Sequence, residues 1–266
     1  MGMSGFLSGV CVCVGDKSLV ECVSATLEPG ITALVGPSGA GKSTLLKAIG
    51  GVMDFKGDIV LGRSLRELSP QEQALQRAWV PQSTHLPFAY TALDVVAMGR
   101  LPHDDAEPGA RRLAADILAS LDMNGLANRL FPTLSGGEKA RVMVARALAQ
   151  LHGVRGGWLL LDEPTSALDI ANSMLLMDVV ARATKSLDLH TLVVLHDLNL
   201  AAQYADSIWM MSHGRLLLEG SPNDVLTPDA IYMGFGVHAQ ILRGPDQIPA
   251  VFPIRNLERS HDVVAS

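Results

Sequence analysis

The sequence predicts an α/β fold, a largely parallel sheet covered by crossover helices. Three observations predict it. Short apolar runs alternate along the chain with longer amphipathic stretches. Several of those stretches open on a hydroxyl residue followed three positions later by an acid, the mark of a capped helix start. A glycine-rich loop joins one apolar run directly to an apolar helix. The composition, 48% apolar, 18% charged and 5% aromatic over 266 residues, is that of a globular chain with one large α/β domain or two small ones. At this length about 70% of the extended surface can be buried, so no disulfide framework is needed.

The strand candidates are residues 31–36, 58–61, 78–82, 158–162, 191–196 and 208–212. Four capping boxes mark helix starts: Ser69 with Glu72, where Pro70 takes the first helical position, Thr91 with Asp94, Ser135 with Glu138, and Ser221 with Asp224. Between residues 83 and 133 the strands stop. That stretch reads as helices over 91–99 and 109–123, joined by polar loops such as Pro102, His103, Asp104 and Asp105, and so as a helical insertion in an α/β core. From residue 241 three prolines and little periodicity predict a tail lying over the surface. No internal repeat or low-complexity tract interrupts the pattern.

Charge and hydropathy exclude several function classes. With 21 Lys and Arg against 27 Asp and Glu, the net charge is −6, and no basic run is present of the kind that grips a phosphate backbone. A nucleic-acid partner is not expected. Mean hydropathy is positive, yet every window of about 18 residues holds a charge or a breaking Gly or Pro, so no spanning helix is expected. The first 13 residues lack a basic segment followed by a small-residue cleavage site, which predicts a chain that stays in the cytoplasm. Cys11, Cys13 and Cys22 make an odd count, which fits a reducing compartment. Cys11 and Cys13 could be two ligands of a metal site, but no other Cys and no clustered His completes a set; the other reading is reduced, half-buried strand cysteines.

The strongest chemical signal is Gly36, Pro37, Ser38, Gly39, Ala40, Gly41, Lys42, Ser43 and Thr44, which satisfies G-x-x-x-x-G-K-[ST] between a strand and a helix. Glycines are needed because successive N–H groups must converge on phosphate oxygens where a Cβ would obstruct, while the helix N-terminus adds its positive end. Lys42 then reaches the outer phosphates, and Ser43 can hold Mg²⁺. A second signal is the apolar run 158–161 ending in Asp162 and Glu163. Carboxylates at the C-terminal end of a buried strand open into the crevice where α/β sheets bind ligands. Asp162 suits Mg²⁺ and Glu163 suits polarising an attacking water. Taken alone, the pair also reads as an ordinary strand end with solvated acids.

At this point the chain resembles the ATP-binding subunits of ABC transporters, from about Gly9 to Ile241. The diagnostic stretch is Leu134, Ser135, Gly136, Gly137 and Glu138, similar to the family's LSGGQ signature. Around it stand Gln82, resembling the Q-loop glutamine, Ser166 to Asp169, resembling the D-loop, and His196, resembling the switch histidine. Six motifs in the family's order are very specific. Ser135 also reads as a plain helix cap, and His196 as a satisfied core histidine. The resemblance implies a P-loop NTPase (RecA-like) core with a helical subdomain insertion and a small N-terminal β subdomain. It implies an ATPase domain over 1–240, with the signature subdomain at about 83–150, and a tail over 241–266. Glu163, His196, Gln82 and Lys42 would carry catalysis, and Ser43, Gln82 and Asp162 would hold Mg²⁺. The loop from Gly36 to Thr44 would bind ATP, and Ser135, Gly136 and Gly137 would bind it across the interface of a head-to-tail homodimer.

Two departures matter. The signature ends in Glu138 where glutamine is commoner, with cap and glycines retained. The family's adenine-stacking aromatic would fall near Val14, where the chain has none. With no spanning helix, the resemblance implies two separate membrane permease subunits, a substrate-binding protein acting indirectly, and a peripheral place on the cytoplasmic face of the inner (plasma) membrane. Residues 98–103, 196–202 and 225–228 are similar to the ATPases of ferric-siderophore, haem and cobalamin importers, which leads to an iron-siderophore or haem importer. The alternatives are a soluble ABC ATPase acting on nucleic acid or ribosomes, against which the charge stands, and a small-molecule kinase, against which Ser135 to Glu138 stand.

Overall fold

In the computed structural model, which describes residues 5–82, 86, 88–103, 107–244 and 246–254, the chain opens with two long antiparallel strands, β1 (Gly5–Val14) and β2 (Lys17–Leu27). Their alternating burial, Leu7, Val10 and Val12 on β1 with Val20, Val23, Ala25 and Leu27 on β2, is the period of a half-buried sheet. A bulge interrupts it. Val12 pairs with Val20 and Val10 with Val23, which leaves Glu21 and Cys22 together opposite Cys11.

Next come β3 (Gly30–Val35) and, after the glycine-rich loop, α1 (Lys42–Ile49). The chain then returns to the first sheet through β4 (Lys56–Leu61) and β5 (Arg63–Ser64), giving the antiparallel order β2-β1-β4-β5. The run 58–61, expected with the parallel strands, thus belongs to this smaller sheet. Helix α2 (Pro70–Gln76) leads into β6 (Arg77–Val80). A helical stretch follows: α3 (Ala92–Ala97), a 3-10 turn over Met98–His103, α4 (Glu107–Ser120) and α5 (Gly136–Leu151). The remainder alternates: β7 (Trp158–Leu161), α6 (Ile170–Leu187), β8 (His190–Val194), α7 (Leu198–Tyr204), β9 (Ser207–Ser212), β10 (Arg215–Gly220), α8 (Pro222–Val225), α9 (Pro228–Phe235), β11 (Ala239–Arg243) and β12 (Pro249–Pro253).

The central sheet has the order β10-β9-β3-β8-β7-β6, parallel except at β10. Its faces are buried against different layers, as period-2 alternation requires. Val35, Leu159, Leu161 and Val193 face α5 and α6. Leu34, Trp158, Leu160 and Leu192 face α1 and the antiparallel sheet.

All six strand candidates form, with ends shifted by one or two residues. Four of the five that join the central sheet stop short, so Gly36, Gln82, Asp162 and His196 fall just beyond the pairing, where the chain turns away from the sheet. Three capping boxes close reciprocally at Ser69, Thr91 and Ser135; at Ser221 the Asp224 carboxylate accepts from both the N–H and the hydroxyl. The expected helix 91–99 is shorter and tightens into the 3-10 turn, which takes up Pro102 and His103, with His103 Nε2 at 2.6 Å from the Gln150 carbonyl. Residues 83–85, where the insertion was expected to begin, and Asp104 and Asp105 of its loop lie outside the described residues.

Through residue 254 the expected surface tail is mostly exposed, but it is folded into regular structure. Strands β11 and β12 form an antiparallel hairpin, with Ile241 opposite Val251. Its prolines stand at the two ends of β12, where a missing N–H costs the ladder little. The hairpin docks on α7: Val251 donates its N–H to Asn199 Oδ1 at 2.7 Å and accepts from Asn199 Nδ2 at 3.4 Å, and its side chain is buried. Residues 255–266 lie outside the described residues.

Trp158 is 2% exposed, stacks on His190 at 5.7 Å, and fills the space beside Gly5. Trp158→Ala should therefore cost about 3–5 kcal/mol of stability, read as a lower denaturant midpoint at unchanged slope.

Candidate functional site

The site begins where β3 ends. Gly36 turns with φ 148° so close to β9 that a Cβ would lie 2.1 Å from the Met211 carbonyl oxygen, and only glycine passes there. Gly41, at φ 96°, is the N-cap of α1 and supplies no side chain to cap it. The N–H groups of the first turn are left facing the loop, an arrangement suited to an anion. The loop is braced from outside by Gly214, whose N–H donates to the Ala40 carbonyl at 3.1 Å.

Lys42 lies inside this loop, 5% exposed, and donates from Nζ to the carbonyls of Gly36 at 2.8 Å and Pro37 at 2.9 Å. Burial pushes its ammonium below the ordinary lysine value, while the charges of Glu163 and Asp162 act the other way. Ser43 donates its hydroxyl to Asp162 Oδ1 at 2.7 Å, joining the first turn of α1 to the end of β7. Burial raises the Asp162 carboxyl above its ordinary value, against the Ser43 hydrogen bond and with the added repulsion of Glu163.

Glu163 is the centre of a second group. Gln82 donates from Nε2 to its Oε2 at 2.6 Å, and His196 Nε2 lies 2.7 Å from its Oε1, so both oxygens are engaged. Its backbone is left-handed, φ 50°, directly before Pro164. For a residue that is not glycine this costs roughly 1–3 kcal/mol, a strain that the surrounding fold must impose.

These residues line one cleft of about 770 Å³, with Lys42, Ser43, Gln82, Glu163 and His196 on its walls. The structure thus brings together the phosphate loop, both carboxylates, the glutamine and the histidine. It does not bring the signature to that cleft. Ser135 caps α5 in its box with Glu138, and a Cβ on Gly137 would lie 2.9 Å from Asn172 Oδ1. Gly136 lines an adjoining hollow of about 180 Å³ with Lys139 and Ala167, and Gln82 and Glu163 line both that hollow and the cleft. Asp169 is occupied as the cap of α6, accepting from the Asn172 N–H at 2.8 Å. Val14, at the end of β1, is 55% exposed and pairs with Lys17.

Sequence reasoning missed part of the lining. Lys17, Ser18 and Leu19 of β2, and the turn of His213 and Gly214, complete the cleft. The turn left a faint signal, a His-Gly pair directly after an apolar strand; nothing local marks the β2 residues.

Asp162→Asn keeps an acceptor for Ser43 and removes the charge that burial disfavours. A carboxyl whose folded value is raised contributes stability that is full below the ordinary value of 3.8 and is lost as pH rises through the folded value. The variant escapes that loss. Its nucleotide-free Tm should exceed wild type near pH 7, and the gap should close below about pH 4, as thermal melts across that range will read.

The profile of the ABC transporter family matches residues 20–166. The hemin import ATP-binding protein HmuV of Gloeobacter violaceus is 41% identical over 256 residues, covering 93% of this chain and 93% of that protein. The protein of the same name from Deinococcus radiodurans is 43% identical over 235 residues, covering 87% and 90%. Among solved structures, an ABC transporter described as of metal-chelate type, in an inward-facing conformation, superposes with a TM-score of 0.81 at 25% identity, over 96% of this chain and 98% of that one. Among the described residues no helix is long and apolar enough to cross a membrane. With the phosphate loop, the strand-end carboxylates and the capped signature helix in place on this sheet, the chain belongs to the ABC transporter family as one of its ATP-binding domains.

Proposed function

We propose that this ATPase powers an importer of haem or a related iron chelate such as a ferric siderophore. It would work as a homodimer beneath two membrane permease subunits, on the cytoplasmic face of the inner (plasma) membrane, with a substrate-binding protein delivering cargo to the permeases. The observation that carries the catalytic part is the engagement of Glu163 by Gln82 and His196 beside the phosphate loop. The cargo rests on the similarity to proteins named for hemin import. The same reading divides the chain into an ATPase unit over 1–240, its helical signature part at about 83–150, and a C-terminal extension over 241–266.

In this reading the loop from Gly36 to Thr44 holds the ATP phosphates through its N–H groups, and Lys42 exchanges its contacts to Gly36 and Pro37 for phosphate oxygens. Ser43 and Asp162, hard oxygen donors already 2.7 Å apart, suit Mg²⁺, and Gln82 is within the same cleft. When bound, Mg²⁺ neutralises charge on the outer phosphates. Glu163 accepts a hydrogen bond from the attacking water, and His196 donates toward the γ-phosphate. Gln82 and His196 take one lone pair on each Glu163 oxygen, and each oxygen keeps a second with which to accept the water. Gly136 and Gly137 offer their N–H groups, and Ser135 its hydroxyl, to the nucleotide of the second copy, in keeping with a signature that does not line its own chain's phosphate-loop cleft.

Glu163→Gln should retain ATP binding and slow single-turnover hydrolysis by about 10²-fold or more, whereas Lys42→Ala should weaken binding itself. Ser135→Arg should leave monomer binding intact and abolish hydrolysis and ATP-dependent dimerisation, and mixing it with Lys42→Ala should restore one composite site per heterodimer. Full turnover in a verified monomer would overturn the dimer.

The exposed aliphatic at Val14 offers the base no π-face, and stacking on an aromatic is worth about 1–3 kcal/mol in nucleic-acid systems. Wild type should therefore discriminate weakly between ATP and GTP, and Val14→Tyr should tighten ATP binding, as titrations with both nucleotides will show.

A further inference from the structure

The bulge between β1 and β2 builds a pair of thiols that the ATPase chemistry does not use. Cys11 and Cys22 lie with their sulfurs 2.7 Å apart, and both are free. Their neighbours Val10, Val12 and Val23 point into the core, so the pair stands on the solvent side of the small sheet, Cys11 half-buried and Cys22 exposed. The approach depends on the extra residue. Cys22 adopts the left-handed region at φ 46°, unusual for a side chain of its size, and the two-against-one pairing places it beside Cys11. Cys13, two positions along β1, is exposed and faces Ser18 across the ladder.

We propose that Cys11 and Cys22 form a redox-active dithiol that closes to a disulfide on reaction with a low-molecular-weight disulfide of the glutathione class. A thiolate of the pair attacks one sulfur of the oxidant; a mixed disulfide forms and one glutathione thiolate leaves. The second protein thiolate then attacks the protein sulfur of that mixed disulfide, forming the Cys11–Cys22 bond and expelling the second glutathione. Two electrons pass from the protein sulfurs to the oxidant, and the two thiol protons end on the released glutathiones. Neighbouring sulfurs compete for one negative charge, in keeping with the Cys22 thiol being held above its ordinary value chiefly by its hydrogen bond to Cys11.

The bond would fix the bulge beside Glu21, which donates its N–H to the Gly214 carbonyl at 2.7 Å and pairs through its carboxylate with Arg215. Gly214 lines the cleft, so the dithiol lies one residue from the bracing of the phosphate loop.

The full chain is incubated with oxidised glutathione, its free thiols are titrated under denaturing conditions, and the peptides are mapped by mass. The expected result is a fall from three free thiols to one, with Cys13 the labelled survivor, a linked peptide joining Cys11 to Cys22, and recovery of all three on reduction. Cys11→Ser and Cys22→Ser should each stop at a mixed disulfide on the remaining member of the pair. Three thiols left free in wild type, a linkage through Cys13, or stable mixed disulfides on Cys11 and Cys22 without a link would each overturn the proposal.

Discussion

Three parallel strands held level with one another put the chemistry of this chain in one place. Gly30 of β3 and Trp158 of β7 both pair with His190 of β8, and the three strands end within a residue or two of each other. Whatever follows each strand emerges at the same edge: the phosphate loop after β3, Asp162 and Glu163 after β7, His196 after β8. A slip of β7 by one residue would move Asp162 about 3.3 Å, more than the whole 2.7 Å contact to Ser43. It would also turn Leu159 and Leu161 away from the helical layer. Core and cleft therefore enforce the same register, and a substitution that weakens the packing under β7 acts on the site through it.

The cleft stores unfavourable features that the fold around it must sustain. Lys42 is buried, Asp162 carries a carboxyl that burial disfavours, and Glu163 is held in a strained backbone before a proline. Each is compensated locally, by two carbonyls, by a serine hydroxyl, and by Gln82 with His196. Such compensation is what an ATP-binding cleft needs before its ligand arrives: polar partners close enough to satisfy every group, yet replaceable by phosphate and water. The signature helix follows another rule. Its cap is satisfied within the chain by Glu138, and its first turn borders a hollow that adjoins the cleft at Gln82 and Glu163.

Much of this was legible in the residues. The capping boxes named their helix starts because each is a local hydrogen-bond pattern, and the strand candidates were found because buried parallel strands read as continuous apolar runs. The phosphate loop, Asp162 and Glu163 were found because the chemistry is written in consecutive residues. What was missed is non-local. Lys17, Ser18 and Leu19 join the cleft only because β2 lies under Gly41, and the left-handed turn at Glu163 is imposed by surroundings against the preference set by Pro164. The β11–β12 hairpin escaped notice because its strands are five residues each and flanked by proline, with Val251 reporting burial only once Asn199 is beside it.

The strand order has a consequence for how the chain comes to be folded. Strand β3, which carries the phosphate loop, has no early neighbour in the sheet; its partners are β8 and β9. The Ile31 N–H, next to the start of that strand, is satisfied by Asp206, 175 residues later. At a synthesis rate of about 5–20 residues per second, roughly 10–35 s pass between the two leaving the ribosome. During that interval a strand destined for burial and its loop have no ladder to join, while the β1–β2 hairpin can already form from local contacts. Loop-closure entropy weighs against so distant a pairing, so the nascent chain spends this window with β3 unpartnered. The nucleotide site, whose loop follows β3, thus waits on β8 and β9, strands that emerge more than 150 residues after β3.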